Sequence, residues 1–209
     1  LISLAFSFCS SLIHAQPYHF ANPTLVSGTA LSVGSTYRFS AVKAGTDALV
    51  KVTNITGTIT LGSPMDQTTT GYDSAFQPTM VVQPLSNGYI EFQITFVAAG
   101  TSTAQTQTNV AATALDIDGL IVGTDSLFEF DLLDLGGGSY IDYNTLGGQL
   151  TLTKSGTAWT GITHTAANYP GIDTSTAAKA VMFTVYSPSL TTLTWRTGVI
   201  NNINEVPPA

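Results

Sequence analysis

Six of the thirteen carboxylates in this 209-residue chain fall between positions 116 and 134. In ALDIDG (114–119) Asp116 and Asp118 stand two apart, and in LFEFDLLD (127–134) Glu129 and Asp131 repeat the spacing. On an extended strand such pairs share a face. The intervening GLIVGTDS (119–126) suits a hairpin connection. Packing Leu115 and Ile117 with Phe128 and Phe130 on the core side then turns Asp116, Asp118, Glu129 and Asp131 together onto the other side. Four like charges on one patch call for solvent, basic partners, raised pKa values or a cation. Basic partners are scarce, with six Lys and Arg in all. Ca²⁺ takes six to eight oxygens in irregular sets and matches a histidine-poor acidic patch. Asp47, at the loop end of KAGTDALV (43–50), is the expected fifth ligand from another strand. Three readings stay open: a solvated acidic face, a structural Ca²⁺ site, and a catalytic carboxylate pair.

The elements that must carry these residues read as strands. Ile90, Phe92, Ile94 and Phe96 alternate with Glu91, Gln93 and Thr95 in GYIEFQITFVAAG (88–100). Similar alternation marks 36–42, 47–55, 148–154, 179–187 and 190–198, separated by Gly, Pro, Asn, Asp and Ser clusters. No segment shows a helical stripe. With 44% hydrophobic and only 9% charged residues the chain has ample material for a core. The expected fold is all-β, a two-layer antiparallel β-sandwich of jelly-roll type over 17–200.

Residues 1–16, LISLAFSFCSSLIHAQ, form an uncharged apolar stretch too short to span a bilayer and read as a signal peptide without its charged start. Residues 201–209, NNINEVPPA, read as the start of a linker to a further region of a larger polypeptide. The only cysteine, Cys9, lies in the leader, so the exported part carries no disulfide or thiolate site. A net charge of −7 without a basic run excludes nucleic acid as a natural partner. His164 is the only histidine away from the N-terminus, which leaves a His-based zinc site or a Ser-His-Asp triad unsupported. Trp159, Tyr169 and Trp195 could form a sugar-stacking platform, although core packing is the commoner role of such rings.

Two resemblances bear on function. Glu129-Phe130-Asp131-Leu132-Leu133-Asp134 resembles the Glu-x-Asp-x-x-Glu run of the laminarinase-like jelly-roll glycosidases. That likeness implies Glu129 as nucleophile and position 134 as general acid, but here the acid is Asp134, one methylene short. The tryptophan and glycine of that family before the first glutamate are replaced by Ser126, Leu127 and Phe128. More of the chain, in 21–52, 88–101, 112–119, 127–131 and 192–198, resembles the N-terminal β-sandwich region of large secreted surface proteins of Bacteroidota-type bacteria. This likeness implies export, surface display and a non-catalytic adhesin-like role, with an extracellular glycan or surface component as partner and no membrane span. The expectation is therefore a non-enzymatic module, with a laminarinase-like hydrolase using Glu129 and Asp134 as its alternative.

Overall fold

The computed structural model describes residues 18–67, 72–138, 140–142, 148–165 and 177–203. The leader 1–16, Tyr169 and 204–209 of the expected linker lie outside them. The first strands are β1 (Thr24–Ser27), β2 (Thr36–Lys43), β3 (Thr46–Ile55), β4 (Thr60–Leu61), β5 (Met80–Val81), β6 (Asn87–Ala98) and β7 (Gln107–Ala114). They are followed by β8 (Gly119–Val122), β9 (Asp125–Asp134), β10 (Tyr140–Asp142), β11 (Leu150–Ser155), β12 (Ala158–Thr163), β13 (Phe183–Leu190) and β14 (Thr192–Asn201). All strand pairs are antiparallel, and the sheets do not close into a barrel. The chain is the all-β sandwich that its strand pattern predicts.

The large layer runs β1-β2-β3-β6-β14-β9-β12-β11, so strands distant in sequence become neighbours in the jelly-roll manner. The smaller layer is β10-β13-β7, and β4-β5 form a separate ribbon. Alternation decides the inner face of the large sheet. Ala48, Val50 and Val52 of β3 and Ile90, Phe92, Ile94 and Phe96 of β6 are buried in one core with Val110, Phe183 and Val185 of the small layer. Gly161 of β12 lets the layers meet, because a Cβ there would lie 2.8 Å from the Phe183 ring. The segment around 179–187, read from sequence as one strand, opens instead with a 3₁₀ turn over Ala177–Val181. That turn brings the Val181 carbonyl to the Ile117 N–H at 2.9 Å and fixes the approach to β8.

β8 and β12 share one edge of β9. β8 pairs with it from Val122↔Asp125 to Gly119↔Phe128, and β12 takes over from Ile162↔Phe130 to Ala158↔Asp134. Glu129 sits at the handover, where its N–H donates to the Asp118 carbonyl at 3.2 Å. The β8–β9 hairpin turns through Gly123 and Thr124, with Gly123 at φ 63°, a two-residue connection that glycine makes without strain.

Asp47 belongs to a different part of the sheet. A bulge in β2 between Phe39 and Lys43 places Ala41 at φ 54°, and the Ala41 N–H donates to Asp47 Oδ1 at 2.8 Å. Arg38 Nη1 and the Gly100 N–H donate to Asp47 Oδ2 at 2.8 and 2.9 Å. One carboxylate thus ties the β2 bulge, β3 and the turn after β6. Burial pushes its pKa up, but the Ala41 and Gly100 N–H groups and the Arg38 guanidinium outweigh this and hold it below the ordinary aspartate value. Asp47→Ala removes the shared acceptor of two N–H groups and a guanidinium. It should lower stability by about 3 kcal/mol in urea unfolding, and an unchanged midpoint would refute this structural role.

Candidate functional site

On β9, Leu127, Glu129, Asp131 and Leu133 face inward, where they line a cavity of about 1000 Å³ between the layers. Phe128, Phe130 and Leu132 face outward and are half-buried. This reverses the orientation expected from sequence, in which Phe128 and Phe130 entered the core and the carboxylates faced water. The neighbours explain the reversal. Outside, Phe130 lies over its register partner Gly198, whose missing Cβ would stand 2.5 Å from the ring tip. Inside, β7 offers Val110, Ala112 and Ala114, side chains too short to bridge the roughly 10 Å between packed sheets. Space is left beneath β9, and Glu129 and Asp131 point into it.

Asp116 and Asp118 reach the same neighbourhood by a different route from the one expected. They lie in the loop between β7 and β8, not on a strand, and Asp116 has φ 59°, a left-handed conformation that aspartate tolerates. Glu129 is therefore surrounded. Burial first, then Asp118, Asp131 and Asp116 in turn, drive its pKa well above the usual glutamate value, while the Asp118 N–H opposes them. Its side chain opens onto the cavity yet lies deep in the fold. Asp131 is 5% exposed, and burial raises its pKa to about 7, against the opposing pull of the Thr197 and Trp195 side chains. The Trp195 indole N–H faces this carboxyl without closing a hydrogen bond of ordinary length. Among the described residues no three His, Cys, Asp or Glu side chains converge closely enough to grip one metal ion. The expected fifth ligand, Asp47, is not with them: it sits on β3, with two strands between it and β9, and its oxygens are taken by Arg38, Ala41 and Gly100.

The aromatic platform divides as well. Trp195 and Trp159 both register against Leu133, one on β14 and one on β12, so they flank it on the inner face. Trp195 stacks on Phe92 at 5.5 Å and meets Phe76 edge-on at 5.4 Å, which covers one ring face and leaves only part of the indole to the cavity. Trp159 packs against the core with Lys154 Nζ 5.3 Å from its ring centroid and does not line the cavity. Tyr169 is outside the described residues. Asp134 takes the outer face of β9 and accepts the Gly136 N–H at 2.9 Å, so it does not share a surface with Glu129.

Sequence reasoning missed the further aromatic lining. Tyr18, Phe20, Tyr72 and Phe76, from irregular segments, line the cavity as well, with Phe76 packed on Phe92 and Trp195. Asp66 is buried beside them with Oδ2 unpartnered; burial raises its pKa to about 6, although the Gln77 N–H and His19 counteract it. The one available signal was the aromatic density of YDSAF (72–76) in a stretch otherwise rich in turn residues.

Carboxyls whose pKa is raised by folding hold protons that the unfolded chain has already lost, so stability falls as pH climbs from the unfolded value to the folded one. For Asp131 that window is about pH 4 to 7. Asp47 acts in the opposite sense, its contribution being lost only as pH drops below about 4. Thermal unfolding should therefore show a higher Tm at pH 5 than at pH 8, and Asp131→Asn should flatten that slope and raise Tm at pH 8. A Tm independent of pH across this range would contradict the buried placement. Set against known proteins, the chain matches no family model, no curated protein and no solved structure.

Proposed function

We propose that this chain is a non-catalytic recognition module of an exported surface protein, and that it holds its ligand in the cavity between its two sheets. The observation that carries the reading is the cavity itself. A space of about 1000 Å³ is lined by aromatic rings, short aliphatic side chains and the inward carboxyls of β9. Binding pockets combine mostly apolar walls with a few placed polar groups in this way, and such volume is at the upper end for a small ligand. The apolar leader, the adhesin-like resemblance and the absence of a basic run support an extracellular setting with a glycan or other surface component as partner. No helix among the described residues is long and apolar enough to cross a membrane. Ca²⁺ is the competing occupant of the negative field around Glu129.

A non-catalytic role is favoured by the placement of the carboxyls. Retaining glycoside hydrolysis needs two carboxyl groups about 5–5.5 Å apart on one side of the substrate. Glu129 and Asp134 occupy opposite faces of β9, and Asp131 beside Glu129 shares its desolvated, like-charged surroundings.

Ligands bound in the cavity stabilise the fold by mass action, so a thermal-shift screen of glycans and small amphiphiles should find compounds that raise Tm. Ala112→Trp, which fills the space from β7, should abolish those shifts while leaving the protein folded. Incubation with a β-glucan panel should release no reducing sugar. Shifts that survive Ala112→Trp would place binding elsewhere, and turnover lost in Glu129→Gln would establish the hydrolase.

A further inference from the structure

We propose that the inter-sheet cavity is built for an organic cation with an apolar body, an alkyl or aryl amine whose ammonium group lies against Glu129 and Asp131. The inference rests on the reading of the cavity as a ligand site and names the chemistry of that ligand.

Charge is the first support. Asp116, Glu129 and Asp131 stand on the lining, and no Lys, Arg or His is among the described residues that line it. The ion pairs among the described residues, Arg38–Asp47 and Arg196–Glu91, lie on the outer face of the large sheet. Asp131, almost wholly removed from water, therefore has no cationic partner. An uncompensated buried carboxylate is costly, and a charged ligand supplies what the chain omits. The second support is the set of donors around Asp131. Thr197 stands opposite Asp131 in register on the inner face, and the indole N–H of Trp195, two residues along the same strand, is buried without a hydrogen bond. Both groups favour the ionised carboxyl, the state that an ammonium group would complete.

The walls select the rest of the ligand. Tyr18, Phe76 and Trp195 present rings, which attract an ammonium group, and Ala112, Leu133 and Val199 present hydrocarbon. An oligosaccharide would set many hydroxyls against that hydrocarbon without partners. An anionic amphiphile would add negative charge to a lining of three carboxyl groups that no cation offsets. Ca²⁺ would leave the apolar volume unfilled.

The test compares three probes with one tail, octylammonium, 1-octanol and octanoate, titrated into the full chain below micelle formation and followed by tryptophan emission. The expected result is octylammonium binding at least tenfold more tightly than octanol, with octanoate weakest. The double variant Glu129→Gln, Asp131→Asn should bind octanol as before and lose the preference for the cation, and retained octanol binding shows that this variant is folded. Equal affinity for octanol and octylammonium would overturn the inference while leaving the cavity a ligand site, as would a preference that persists in the double variant. Displacement of octylammonium by CaCl₂ at lower concentration would assign the carboxyls to the metal and also overturn it. If none of the three probes binds, the cavity reading falls together with the inference.

Discussion

Parity on β9 forces one choice. Leu127, Glu129, Asp131 and Leu133 go to one side of the sheet, and Phe128, Phe130, Leu132 and Asp134 go to the other. A one-residue slip of register would bring the phenylalanines against Ala112 and Ala114 and fill the gap between layers. It would also remove Leu133 from its place between Trp195 and Trp159 and drive Phe130 off Gly198. The inward carboxyls and the empty volume beneath them are thus one decision. The small side chains of β7 and the missing Cβ of Gly198 both favour it.

The molecule shows two solutions to burying an aspartate. Asp47 is enclosed by a guanidinium and two N–H groups and stays ionised below the ordinary aspartate value. Asp131 has a hydroxyl and an indole nearby, no cation, and a carboxyl displaced to about 7. Similar side-chain exposure yields opposite shifts because Asp131 lies deeper among protein atoms and because the number and charge of the donors differ. The first arrangement is complete in itself and reads as architecture. The second lacks a cation of its own, which is why the proposed site lies in the cavity and not at the β2 bulge.

Much of the sandwich was legible in the sequence, since β3 and β6 turn the apolar half of an alternating pattern into the core, as Val50, Val52, Ile90, Phe92 and Phe96 show. The carboxylate cluster was legible only as a neighbourhood, in that Asp118, Asp131 and Asp116 all stand near enough to Glu129 to raise its pKa. Its orientation was not. LFEFDLLD carries apolar residues on both faces, so periodicity alone cannot choose between them, and the tie is broken by Gly198 and Ala112, distant in sequence. Asp116 and Asp118 defeated the two-residue rule because a left-handed residue curls their segment. Asp47 was misplaced because spacing says nothing of how many strands intervene. The further aromatic lining comes from irregular chain, where no periodicity exists to read.

β9 changes partners at Glu129, with β8 on one side of that residue and β12 on the other. Gly119 lets the two ends abut, since any side chain there would meet the Thr165 carbonyl at 2.7 Å. The large layer therefore has a seam, and the seam opens onto the buried glutamate. The glutamate crowded by three other carboxyls thus sits where β9 exchanges one partner strand for another, while β14 pairs through it unbroken on the other edge, so parting of β8 from β9 would admit water to Glu129 with the β14 ladder still in place.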